Sequence, residues 1–248
     1  MKLIDIHTHD GVWEHTSPQR YDYRGETMDE FIADLNADQV DYCFMSSVEA
    51  LLGDLSKGNA QTFNDAMLDD RLMAYVYYDP TRIDESMREI EKYKDHPKFI
   101  GFKSRPEHHS KMRFDSDAYR PLIEAAERHD KPILLHTWPI QDAEAVANVA
   151  QSSKAVIILV HAFGESYKTG IPLIRQYETL YIEPVTSTVF PGKLRYIINE
   201  VGIERVMFGS DYGLLSRERI ISQYRDAKLS SREQDAFFFK NSQFVFNI

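Results

Sequence analysis

Hydrophobic residues fall in eight short runs along the chain: Leu3–Ile6, Tyr42–Val48, Leu72–Tyr78, Phe99–Lys103, Ile133–His136, Val156–His161, Leu180–Glu183 and Val206–Gly209. Most are near-continuous in Val, Ile, Leu, Phe and Tyr rather than alternating with polar residues. Strands read this way when a parallel sheet is buried on both faces. Helical spacing appears between most of them. Thr27-Met28-Asp29-Glu30 reads as a capping box, with Phe31, Ile32 and Leu35 following on one face. Ile83, Met87 and Ile90 form a second stripe, Tyr119, Leu122, Ile123 and Ala126 a third, and Leu194, Ile197, Ile198 and Val201 a fourth. Arg217 to Ala227 carries Ile220, Ile221 and Tyr224, and the aromatic tail from Gln234 to Ile248 reads as a closing helix packed on the rest.

Strands alternating with helices imply βαβ units and a parallel sheet. Eight repeats over 248 residues give about 31 residues each, close to the ~30 that such a unit requires. The pattern therefore predicts an α/β fold, a (β/α)8 barrel of the TIM type, as a single domain over residues 1–248. A doubly wound open sheet is the runner-up. That fold usually carries a glycine-rich phosphate loop after its first strand, whereas here the first strand runs into His7-Thr8-His9-Asp10-Gly11.

Composition narrows the function. The chain has 29 Lys and Arg against 39 Asp and Glu, a net charge of −10, which speaks against a general nucleic-acid binder. No apolar run approaches the ~18 residues of a membrane span, and the first residues lack the apolar stretch of a signal peptide. Cys43 is the only cysteine and lies in an apolar run, so a buried, inert thiol is expected. The expectation is a soluble, cytoplasmic protein with a small-molecule substrate and no nucleic-acid or membrane partner.

In a β/α barrel, chemistry sits at the C-terminal ends of the strands. Four of the nine histidines fall there: His7 and His9 after the first run, His136 after the fifth and His161 after the sixth. Asp211 follows the eighth. Residues i and i+2 of an extended segment point to one side, so His7 and His9 can aim two imidazoles at one point. His136 and Asp211 can close the sphere. Three histidines and an aspartate suit Zn²⁺, and would also suit Mn²⁺ or Fe²⁺.

With these residues in view, the sequence resembles the amidohydrolase superfamily, in particular its amidohydrolase-related group of metal-dependent barrel hydrolases and decarboxylases. The matching stretches are Asp5-Ile6-His7-Thr8-His9, Gly101-Phe102-Lys103, Pro132-Ile133-Leu134-Leu135-His136-Thr137 and Phe208-Gly209-Ser210-Asp211-Tyr212. Two departures lie in loops facing the site: His161-Ala162-Phe163-Gly164, where the group often has His-Gly-Gly, and Tyr212-Gly213, where Tyr-Pro is commoner. The chain is also short for the group, whose decarboxylases tend to be longer, which counts against decarboxylation.

The resemblance implies one divalent ion, zinc first, held by His7, His9, His136 and Asp211. Asp211 would serve as general base toward a metal-activated water. His161 would hydrogen-bond substrate and stabilise developing negative charge. Asp5, two residues before His7, would support a ligand histidine. Lys103 has two readings: an amine beside a single metal, which is preferred, or a carboxylated lysine bridging two metals with His136 and His161. The cationic stretch Ser104–Arg113 places Arg105 where it could clamp a substrate carboxylate. Trp13, Glu14, His15 and Trp138 would line the pocket mouth, and Glu183 would hydrogen-bond a substrate or a ligand. The function expected is hydrolysis of a C–N or C–O bond in a small, carboxylated substrate. A nonoxidative decarboxylase of an aromatic or unsaturated acid is the alternative, and a lactonase or hydratase the third reading. Barrels of this kind often dimerise, so a homodimer is an open expectation.

Overall fold

The computed structural model describes residues 2–13, 21–25, 27–106 and 112–248. Seven strands form one parallel sheet in sequence order: β1 (Ile4–Asp10), β2 (Tyr42–Ser47), β3 (Leu72–Tyr77), β4 (Phe99–Ser104), β5 (Ile133–His136), β6 (Ile157–Val160) and β7 (Leu180–Glu183). Each lies on one of the predicted runs. The consecutive order excludes the doubly wound alternative, in which strand order reverses at a switch point. Helices fill the connections: α1 (Met28–Ala37), α2 (Val48–Leu52), α3 (Leu55–Ala66), α4 (Ile83–Tyr93), α5 (Arg120–His129), α6 (Ile140–Ala150), α7 (Tyr167–Ile174), α8 (Lys193–Val201) and α9 (Arg217–Gln223). The short α10 (Ser231–Asp235) and α11 (Asn241–Phe246) end the chain. The Thr27–Glu30 capping box forms as the sequence predicts, with the Thr27 hydroxyl and the Glu30 carboxylate each accepting from the other's backbone N–H.

The predicted eighth strand is not formed, so the expectation of eight strands is corrected to seven. Its segment nonetheless touches both neighbours. Met207 N–H donates to Ile182 O of β7 at 2.9 Å, and Ile6 N–H of β1 donates to Phe208 O at 3.3 Å. The Phe208 N–H turns away to Phe237 O at 3.0 Å, and Asp211 adopts a left-handed φ of 58°. These two features interrupt a regular ladder.

The core has two layers. Ile4, Ile6, Phe44, Tyr75, Ile100, Leu134, Ile158 and Met207 pack inside the curl of the sheet. A larger cluster that includes Leu35, Val76, Leu135, Leu159 and Ile197 packs between sheet and helices. Both faces of the strands are thus apolar, which is why the runs read as continuous. The tail behaves as expected of a closing helix: Phe246 of α11 sits edge-on to Phe44 with ring centroids 4.7 Å apart.

The β1–β2 register slips between Asp5 and Thr8. Such irregularities re-aim side chains. Ile4 and Ile6 face the interior cluster. Past the slip, it is His7 and His9 that converge on Asp211.

Candidate metal centre

His7, His9 and Asp211 are all buried and bring one ligand atom each to within 4.8 Å of one another. His9 Nε2 lies 3.2 Å from Asp211 Oδ1, and His7 Nε2 lies 3.5 Å from the same oxygen. Gly209 permits this approach, because a Cβ there would stand 2.7 Å from His7 Cβ and 2.8 Å from Glu183 Cγ. Asp211 is held from its backbone. Its N–H donates to His7 O at 2.9 Å, and its carbonyl accepts from Leu214 and Leu215 at 3.1 Å each.

The partners of the remote ring nitrogens govern the tautomers. His7 Nδ1 lies 3.1 Å from Glu183 Oε2, and the other oxygen of Glu183 accepts from Val185 N–H at 2.6 Å. His9 Nδ1 faces the Ser46 carbonyl at 3.3 Å and the Ser46 hydroxyl at 3.0 Å. The Ser46 carbonyl only accepts, so His9 Nδ1 carries the proton and His9 Nε2 presents a lone pair; burial pushes the Glu183 carboxyl well above its ordinary range, so the proton of its bond with His7 Nδ1 can sit on either partner. Burial holds both imidazoles below their ordinary pKa, so they are neutral. The His9 lone pair and the Asp211 carboxylate then face each other at 3.2 Å. Two acceptors at that range call for positive charge beside them, part of which Lys103, 3.1 Å from His7 Nε2, can supply. This donor set fits a divalent metal.

Lys103, the near-terminal residue of β4, is buried and donates from Nζ to His7 Nε2 at 3.1 Å. Burial lowers its pKa to about 7, against the pull of Asp211 and Glu183. Asp211 is driven upward by burial. The positive charge of Lys103 draws it back below its ordinary value. It is a carboxylate at neutral pH.

His136 does not join the three-residue set. Its ring sits edge-on to His161, centroids 4.4 Å apart. Both rings line a cavity of about 410 Å³ together with His9, Lys103, Arg105 and Asp211, with Trp13, Tyr77 and Trp138 as aromatic wall. The expected site residues therefore meet in one cavity, except His7, which lies beneath it. Glu14, His15 and residues 107–111 of the cationic stretch lie outside the described residues, while Arg113 pairs with Asp115 at 2.8 Å.

His161 donates from Nδ1 to Val185 O at 2.9 Å, and burial lowers its pKa to about 3. Its Nε2 is left as a lone-pair acceptor. One expected role needs correction: Asp5 does not support a ligand imidazole. The slip in β1 sends its carboxylate to the Ser210 hydroxyl at 2.6 Å, the Ser210 N–H at 3.0 Å and Arg217 Nε at 2.7 Å. Glu183 takes the supporting role on His7. Sequence reasoning missed Ser46, Ser210 and Arg217. Ser46, near the end of the second apolar run, carried a signal by position; Arg217, heading a surface-like helix, carried none.

Comparison with known proteins adds the family. A family model described as Amidohydrolase matches residues 4–248. No curated protein matches. Among solved structures, the chain is similar over its whole length to a 2,6-dihydroxybenzoate decarboxylase from Rhizobium, with a TM-score of 0.77 and 15% identity, covering 99% of that chain. It is also similar to a probable 2-pyrone-4,6-dicarboxylic acid hydrolase from Acinetobacter baumannii with citric acid bound (TM-score 0.74, 15% identity, 100% of both chains). A dihydroxybenzoic acid decarboxylase from a Polaromonas species, with bound manganese and 2-nitroresorcinol, matches at a TM-score of 0.75 and 14% identity, covering 99% of this chain and 97% of that one. At these identities the likeness is one of fold.

Proposed function

The chain belongs to the amidohydrolase family, and on that premise we propose that it is a metal-dependent hydrolase cleaving a C–N or C–O bond in a small carboxylated substrate. His7 and His9 through Nε2, Asp211 through a carboxylate oxygen, and His136 as fourth donor would hold one divalent ion, with zinc the first choice and manganese or iron also compatible. Such an ion lowers the pKa of water from roughly 15.7 toward about 7 and polarises the group attacked. In the same reading, Val206–Asp211 closes the sheet as an irregular eighth stave, and the chain is one domain.

The observation that carries the reaction type is the place of Asp211 on the cavity wall, one oxygen 3.2 Å from His9 Nε2 and 3.5 Å from His7 Nε2. An ionised carboxylate accepts a proton from an attacking water and, once protonated, delivers it to a leaving nitrogen or oxygen. Decarboxylation asks the resting site for a proton to place on carbon. His161 Nε2, a neutral acceptor, orients a donor group of substrate or water. Lys103 and Arg105 both line the cavity and would meet a substrate carboxylate there, and Trp138 gives it a flat wall.

Decarboxylation of an aromatic or unsaturated acid is the second reading. The aromatic wall of Trp13, Tyr77 and Trp138 favours it, because planar rings stack there. The test loads the protein with Zn²⁺ or Mn²⁺ and presents 2,6-dihydroxybenzoate, 2-pyrone-4,6-dicarboxylate and an uncharged lactone in ¹⁸O-labelled water. Hydrolysis puts ¹⁸O into the product and releases no CO₂. Release of CO₂ instead establishes the second reading, and turnover of the neutral lactone alone contradicts a carboxylated substrate.

A further inference from the structure

Lys193, the first residue of α8, is 5% exposed, and no expected role accounts for it. Its ammonium donates to the His161 carbonyl at 2.6 Å and lies 5.6 Å from the ring centroids of both Tyr167 and Phe190. It forms no ion pair among the described residues; its nearest electrostatic support is Glu183, the carboxylate that holds His7. Burying an ammonium without a paired carboxylate is costly. A methionine would fill the same space at lower cost, so packing alone does not explain a lysine here.

The group it holds is unusual. His161, Ala162 and Phe163 have φ of 69°, 46° and 63°, followed by Gly164 at 54°. Three consecutive non-glycine residues in the left-handed region are unfavourable and need external support. Gly164 packs so closely on Trp138 that a Cβ would lie 2.8 Å from Cε2. The His161 imidazole is tied through Nδ1 to Val185 O. The backbone of His161 thus stands between two fixed points, the β6 strand and the Lys193 ammonium.

We propose that Lys193 is a positioning residue: its hydrogen bond to the His161 carbonyl holds the left-handed turn after β6 and thereby aims the His161 Nε2 lone pair into the cavity. This rests on the reading of His161 as a group used in the reaction, and the experiment separates the two.

The variants are Lys193→Met, Lys193→Arg, His161→Ala and the double variant Lys193→Met/His161→Ala, all zinc-loaded. Turnover is measured on whichever acid of the panel above reacts, and the histidine rings are observed by ¹⁵N NMR. Lys193→Met should keep its zinc and its KM, and its melting temperature should stay level or rise. Measured at pH 6, where Lys193 carries its proton, its kcat should fall about 10- to 150-fold, the value of one hydrogen bond to a charged group. The His161 Nδ1–H signal should shift or broaden. Lys193→Arg should recover part of kcat. In the His161→Ala background, Lys193→Met should change kcat less than about twofold, because coupled residues do not act independently.

Multiplying effects in the double variant would overturn the proposal, as would an unchanged kcat in Lys193→Met with a lowered melting temperature, the mark of structural support alone. An unaltered His161 ring signal in Lys193→Met would overturn it whether or not a substrate of the panel reacts. A wild-type kcat in His161→Ala with an altered ring signal in Lys193→Met would instead bring down the role given to His161 and leave the positioning intact.

Discussion

Glu183 carries a disproportionate share of the site for a residue that touches no part of the cavity wall. One oxygen holds His7 Nδ1 at 3.1 Å and the other accepts from Val185 N–H at 2.6 Å. Such carboxylate–imidazole pairs orient a metal ligand and raise its basicity, and disturbing them typically costs 10- to 100-fold in metal affinity. Glu183→Gln should therefore weaken Zn²⁺ binding by about that factor in a competitive titration against a chromophoric chelator, with the fold intact by circular dichroism. In the proposed function Arg105 binds the substrate carboxylate. Arg105→Lys should raise KM for a carboxylate substrate with a smaller change in kcat, about 10- to 150-fold in kcat/KM, since lysine cannot reproduce the planar fork. Steady-state kinetics on the best acid checks it. At this scale the sequence was legible where strands end in unusual residues. His7, His9, Lys103, His136, His161 and Asp211 are all terminal or nearly terminal to apolar runs. The role of a ring nitrogen was not legible, because it depends on which backbone carbonyl lies behind it, as Val185 O behind His161 and Ser46 O behind His9.

Among the elements, β1 shows what periodicity can and cannot give. Its existence follows from Leu3–Ile6, but the slip between Asp5 and Thr8 changes the face of everything beyond it. Asp5 therefore meets α9 rather than the metal ligands. There Arg217, 1% exposed, donates to Asp5 at 2.7 Å and to Asp38 at 3.2 Å, and its guanidinium carbon lies 3.9 Å from the Tyr212 ring centroid. Removing one partner of a buried pair leaves the other charge uncompensated, at a cost of about 3–5 kcal/mol. Arg217→Met should lose about that much in urea denaturation, and adding Asp5→Asn should return part of it. Helix α3 shows a different limit. Its inner face mixes Leu55, Phe63 and Ala66 with two buried polar residues: Asn59 accepts from Tyr77 N–H at 2.9 Å, and Thr62 donates to Asp10 at 2.8 Å. An apolar stripe could not announce it. The segment after α8 reads as a strand because Val206, Met207 and Phe208 are apolar and fully buried, yet its hydrogen bonds divide among β1, β7 and Phe237.

Over the whole molecule, seven consecutive parallel strands bring the ends of β1, β4, β5, β6 and the Asp211 turn to one mouth, and the α11 tail seals the other end of the interior against Phe44. Among the described residues no helix is long and apolar enough to cross a membrane. Global stability should carry the mark of the buried lysine on α8. Burial lowers the Lys193 pKa from 10.5 to about 7. Between those values the unfolded chain binds a proton that the folded one has shed, so stability rises with pH across this window. Below about 7 both states hold the proton and the slope vanishes. Thermal unfolding at a series of pH values should show Lys193→Met more stable than wild type near neutrality, with the difference closing toward pH 10.5; a constant difference would contradict it.

The central claim is that His7, His9 and Asp211 are metal ligands, and its most direct test is a crystal structure of the zinc-loaded protein with anomalous diffraction at the zinc edge, alongside elemental analysis. The account predicts one ion per chain, with His7 Nε2, His9 Nε2 and an Asp211 oxygen at about 2.0–2.2 Å from it, His136 completing the sphere and Lys103 an unmodified amine. Two ions bridged by a carboxylated Lys103 would contradict the single-metal site, and an anomalous peak away from these residues, or none at saturating zinc, would contradict the metal centre itself.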